Sequence, residues 1–143
     1  MPYTTIYKKD GCVKMDYNSE TGVIYVTWKK MYDQNDTRYV CEQTLKLVKS
    51  GAKVIIIDLS KAEGVILKET QDWFQTYLFP NFARAGTLRV LITIDSQLPV
   101  VRLASSRWTH EGEGFDFDRI TGGSGKSSCR IFVQIETGRR VFV

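Results

Sequence analysis

The sequence predicts an α/β domain built on a mixed central sheet, with an N-terminal hairpin, about three helices and a C-terminal β extension. Three observations carry this. Residues 54–57 are an apolar run without polar alternation, the pattern of a strand covered on both faces, and 88–94 (LRVLITI) supply a second strand of buried type. Around them, residues 39–48 and 73–82 repeat their apolar positions at helical spacing. Ahead of them, two β-rich segments flank the turn-forming cluster NSETG.

Residues 12–17 (CVKMDY) and 23–28 (VIYVTW) form the hairpin, with Gly22 closing its turn. From Asp36 the period changes. Tyr39, Val40, Thr44, Leu47 and Val48 recur as on one helix face, Asn35 or Asp36 is a candidate N-cap, and Gly51 is the stop. Val54, Ile55, Ile56 and Ile57 are too few for a helix and suit the middle of a parallel sheet, where each buried side chain contributes ~1.5 to 3 kcal/mol. The strand ends in Asp58, Leu59 and Ser60. Ligands of open α/β sheets bind beyond such carboxyl ends.

A second helix begins at Glu69 or Thr70, with Trp73, Phe74, Tyr77, Leu78 and Phe82 on one broad face. Pro80 has no N–H for the Thr76 carbonyl and disfavours helical geometry at Phe79, which predicts a kink or break and leaves Phe79 off the main face and exposed. Gly86 ends this helix. The run at 88–94 ends in Asp95 and Ser96, so if the two buried strands are neighbours, Asp58 and Asp95 share one sheet edge about 5 Å apart. Pro99 opens a short helix through Leu103, Ser106 and Trp108. FDFDRI at 115–120 alternates like an edge strand with Phe115 and Phe117 inward. Residues 1–120 thus form the domain. Residues 121–143 hold a Gly/Ser linker and two strand-like segments joined through Thr137 and Gly138, an added hairpin, an exchanging arm or a tail.

With 143 residues the chain is long enough for one complete core, and 43% hydrophobic with 25% charged residues excludes wholesale disorder. Its charge of +4 is spread along the chain, so nucleic-acid binding is not indicated. No segment has the length or flanks of a signal peptide or a transmembrane span, which gives a cytoplasmic expectation. Cys12, Cys41 and Cys129 lack metal-site spacing and form an odd set, against zinc and against a disulfide framework.

No catalytic constellation is complete. GGSGKSS at 122–128 suggests a phosphate-binding loop, but the first required glycine position is Ile120 and a strand-like segment follows; a flexible linker is the better account. His110, Glu111, Glu113, Asp116 and Asp118 are metal-ligand types without a calcium-loop spacing, and alternating acids suit a strand with one wet face. Asp58 with Asp95 could hold magnesium; the plainer account makes both turn caps. Ile66, Leu67 and Phe79 suggest an apolar surface beside the central loop, against the alternative that they complete the core.

The VIYVTWK strand, the VIIIDLSKAEGVI segment, QDW at 71–73, Pro80 and ARAG at 83–86, in the order hairpin, helix, strand, helix, strand, helix, strand, resemble the STAS or SpoIIAA-like family. That family includes anti-sigma-factor antagonists, sulfate-transporter tails and a branch of small bacterial STAS-like proteins grouped with CRAL-TRIO-like lipid-binding domains. The resemblance spans roughly residues 13–120. The antagonists carry a phosphorylatable serine in a DSSG-like turn; here residues 65–70 offer only Thr70, at the expected N-cap, so a kinase-switched antagonist does not fit. What the resemblance implies is a non-enzymatic domain without a cofactor. It would bind a protein partner or a small apolar ligand near residues 60–70, using Asp58, Ser60, Ile66, Leu67, Lys68, Thr70, Phe79 and Asp95. The rival is a metal-assisted enzyme using Asp58 and Asp95. An exposed sheet edge or tail hairpin would also allow a homodimer.

Overall fold

A computed structural model describes residues 3–64, 66–94, 115–120, 132–134 and 140–142. Asp95, the helix expected from Pro99 to Trp108, the connection carrying His110, Glu111 and Glu113, and the Gly/Ser linker lie outside the described residues.

In chain order the elements are β1 (Thr4–Lys9), β2 (Val13–Asn18), β3 (Val23–Trp28), β4 (Lys30–Met31), α1 (Gln34–Lys49), β5 (Val54–Asp58) and β6 (Glu63–Gly64). There follow α2 (Lys68–Trp73), a π-helical turn (Phe74–Leu78), α3 (Phe79–Ala85), β7 (Val90–Ile94) and β8 (Asp116–Ile120). A six-stranded sheet runs β1-β2-β3-β5-β7-β8. Its first two pairings are antiparallel and the others parallel. Further on, β9 (Phe132–Gln134) and β10 (Arg140–Phe142) pair antiparallel as a separate ladder.

β5 has a parallel neighbour on each side, and side chains on both of its faces are buried. Ile55 joins Ile24 and Leu91 on the face that carries the main core with the helices. Val54 and Ile56 join Val23, Val90, Ile92 and Ile94 on the other. This two-sided burial is why the run 54–57 lacks alternation.

The edge strand β1 has no counterpart in the sequence reading. Its register against β2 shifts between Thr5 and Tyr7, turning Ile6 outward at 41% exposure while Tyr7 packs on the core. A bulge followed by Lys8 and Lys9 discourages strand addition, so this edge is a poor place for a homodimer to pair.

Helix α1 starts earlier than expected. Its N-cap is Asp33, not Asn35 or Asp36: the Asp33 carboxylate accepts the Asn35 N–H at 2.9 Å. Asp36 lies within the first turn and pairs with Lys9 at 2.7 Å.

Pro80 neither breaks the second helix nor leaves Phe79 exposed. Five residues beyond Phe74 an α-helix would place Phe79 roughly 140° round the axis. The wide turn cancels that offset: the Phe79 N–H donates to the Phe74 carbonyl, and Phe79 returns to the Phe74 face. The side-chain amide of Asn81 donates to the Tyr77 carbonyl at 2.7 Å, supporting the backbone beside the proline. Phe79 is 7% exposed, with ring centroids of Phe74, Phe82 and Phe115 at 5.6, 6.2 and 6.1 Å.

Candidate functional site

The loops that leave the carboxyl ends of β3 and β5 are tied into one platform. β4 and β6 pair in parallel, Lys30 opposite Glu63 and Met31 opposite Gly64. The Glu63 N–H donates to the Lys29 carbonyl at 2.8 Å, and the Tyr32 hydroxyl to the Glu63 carboxylate at 3.0 Å. The Leu67 N–H donates to the Gln34 side-chain oxygen at 3.1 Å, and the Gln71 side-chain amide to the Ile66 carbonyl at 2.7 Å. Gly64 is required where the loops cross. Its φ is +91°, and a Cβ there would meet the Met31 carbonyl oxygen at 2.8 Å.

Although its backbone is held, the platform leaves large side chains in solvent: Tyr32 is 65% and Leu67 52% exposed. Lys68 and Glu69 are exposed beside them, and Lys68 pairs with Asp72 at 3.1 Å on the open surface. Ile66 and Thr70 point inward and are buried. Helix α2 begins at Lys68 with Leu67 as N-cap, so Thr70 sits inside the first turn and not at the cap, and its burial withdraws the one candidate phosphate acceptor from solvent.

Asp58 belongs to a different environment. It is buried at the end of β5, where one carboxylate oxygen accepts from the Ser60 N–H at 2.9 Å and the Ser60 hydroxyl at 2.6 Å. The other accepts from the Tyr25 hydroxyl at 3.1 Å. Burial, then the Asp58 charge and this hydrogen bond, hold the Tyr25 phenol above its ordinary value of 10. Both oxygens are thus engaged, one in closing the Asp58–Ser60 turn and the other with Tyr25 of β3, and no three potential ligands among His, Cys, Asp and Glu converge among the described residues.

Beneath the platform lies an apolar cavity of about 40 Å³ between the sheet and the helices. Val26, Ile55 and Leu91 form its floor, and Thr37, Phe79 and Phe82 part of its roof. The Thr37 hydroxyl is buried and has no hydrogen-bond partner among the described residues; the same holds for Thr93. Cys41, half-buried on the cavity wall, has its thiol pushed up to about 12, by burial first and by the Glu42 charge second, which removes it as a nucleophile at neutral pH.

Ser60, Ile66, Leu67, Lys68 and Thr70 therefore share one loop and helix start, Phe79 lies in the core behind it, and Asp58 caps a turn. Tyr32, Gln34 and Thr37 are the residues that sequence reasoning did not single out. Tyr32, an aromatic just before a helix cap, offered a signal; a buried threonine on a helix offers none.

No protein-family model matches the sequence, and no curated protein matches it. Among solved structures the chain is similar to apo-SiaC from Pseudomonas aeruginosa, with a TM-score of 0.51 and 10% identity over 85% of this chain and 100% of that one. At such identity the likeness is one of α/β fold. No helix among the described residues is long and apolar enough to cross a membrane.

Proposed function

We propose that the chain is a non-catalytic STAS-like module that binds a protein partner through the platform built from the loops after β3 and β5. One observation carries this reading: backbone and side-chain bonds hold these loops in place while Tyr32 and Leu67 stand in solvent. Exposed apolar groups on a preorganised backbone lose little freedom on binding, and aromatic side chains are enriched among the residues that dominate interfaces. Lys68 adds a charge at the rim. Ser60 and Asp58 fix where the loop starts; Ile66 and Thr70 anchor it from within. The shared fold with apo-SiaC is consistent with the STAS-like part of the reading.

Asp58 argues against the metal-assisted alternative, because recruiting it would first break its bonds to Tyr25 and Ser60.

The test compares proteins captured on immobilised wild type, Leu67→Glu, Tyr32→Ser and Tyr39→Ser. Tyr39 is exposed beside Tyr7 of β1 and serves as the surface control. A partner kept by wild type and Tyr39→Ser but lost by both platform variants, all with the same circular dichroism, is the expected result. Equal capture by all four would refute the reading.

A further inference from the structure

We propose that the cavity between sheet and helices is a binding site for a small neutral amphiphile, about three to five non-hydrogen atoms with one hydroxyl or carbonyl group that bonds the Thr37 hydroxyl. This site lies behind the platform and does not depend on a protein partner binding there.

Size sets the class. A cavity of about 40 Å³ holds roughly three water-sized groups, at ~10 to 15 Å³ for each probe sphere, and is far below the ~150 Å³ cavity that admits benzene. A long acyl chain does not fit. Charge narrows it further: among the described residues no acidic or basic side chain lines the cavity, so an ion would meet no counter-charge from them.

Thr37 supplies the polar contact. It is 2% exposed, and its hydroxyl has no partner among the described residues. Thr44, two turns further along α1, shows the ordinary alternative: its hydroxyl donates back to the Val40 carbonyl at 2.8 Å. The corresponding acceptor for Thr37 would be the Asp33 carbonyl, which already receives the N–H groups of Asp36 and Thr37. A buried hydroxyl left without a bond in an otherwise apolar wall calls for an occupant with a hydrogen-bonding group. Met31 and Ile66 line the cavity, and their chain neighbours are the exposed Tyr32 and Leu67, so an occupant presses on the back of the platform.

The experiment is a titration of isotope-labelled full-length protein with 1-propanol, followed by NMR, with benzene as the oversized comparison. Saturable shifts at the Val26, Ile55 and Leu91 methyls and at the Thr37 amide are expected, with smaller ones at Leu67 and none of this pattern from benzene. Thr37→Val, which removes the hydroxyl at constant shape, weakens 1-propanol binding about five- to tenfold. Val26→Ile keeps Thr37 but fills the space and abolishes saturation. Shifts that rise linearly and scatter over the surface overturn the proposal. So does wild-type affinity in Thr37→Val, or a crystal grown with 1-propanol that shows only water on the Thr37 hydroxyl.

Discussion

Asp58 offers the sharpest test of whether the end of the central strand is structural or chemical. Its carboxylate accepts three hydrogen bonds, from the Tyr25 hydroxyl, the Ser60 N–H and the Ser60 hydroxyl. Hydrogen bonds to a charged group contribute ~1.5 to 3 kcal/mol each, but the Ser60 donors are local and partly exposed and recover bonds to water once released. Asp58→Ala should therefore cost about 3 kcal/mol, which for a chain of this size lowers Tm by about 10 °C. Asp58→Asn keeps an acceptor oxygen and should cost about 1 kcal/mol. Tyr25→Phe removes one donor, and in a double-mutant cycle with Asp58→Ala the coupling should be about 1 kcal/mol or more. Urea unfolding followed by circular dichroism measures the four variants against wild type. A cost below ~0.5 kcal/mol for Asp58→Ala, or strict additivity with Tyr25→Phe, would refute the capping account and restore Asp58 as a free ligand-binding carboxylate.

Three further outcomes follow from the same geometry. Tyr25 holds its proton more tightly folded than unfolded, so the unfolded chain binds fewer protons above about pH 10 and stability falls as pH rises through that range; urea midpoints measured between about pH 9 and about pH 11 should fall less steeply in Tyr25→Phe, and parallel curves would contradict the assignment. Gly64→Ala should cost about 2 kcal/mol or more, since its Cβ meets the Met31 carbonyl, whereas Gly86→Ala, at φ +80° with nothing within 4 Å, should cost about 1 kcal/mol; equal costs would mean that the loop crossing adds nothing beyond the backbone angle. Asp33→Ala should lose about 1 kcal/mol and Asn35→Ala almost none, by thermal unfolding; the reverse order would move the helix cap.

The parts of the fold legible in the sequence are those where one local pattern has one physical cause. Residues 54–57 are apolar throughout, and 90–94 are apolar but for the buried Thr93, because each strand has neighbours on both sides and cover on both faces, and 13–18 and 23–28 frame a turn that Asn18 closes by accepting from the Glu20 and Thr21 N–H groups. β1 gives no such signal: a bulge at Ile6 interrupts its alternation and an edge strand needs little burial. Asp33, Asn35 and Asp36 are all competent caps, and the choice among them is made at a distance, by Lys9 occupying Asp36 and by β4 setting where the chain turns. Phe79 is misplaced by any helical wheel because the wheel assumes one period, and the π turn adds a residue just before it.

The candidate site divides along the same line. That residues 60–70 matter could be read from their position after a buried strand, but which of them face outward could not, because an irregular loop has no period to sort them. The sorting comes from Gln34, more than thirty residues away, which holds the Leu67 N–H and so turns Ile66 in and Leu67 out. Met31 and Ile66 lie on the wall of a cavity in which, among the described residues, the orphaned hydroxyl is that of Thr37, three residues along α1 from Gln34. The side chain that fixes the outward display thus stands one helical turn from the group that would hold an occupant. An occupant of the cavity would have a short mechanical route to Leu67, through Ile66 and the start of α1.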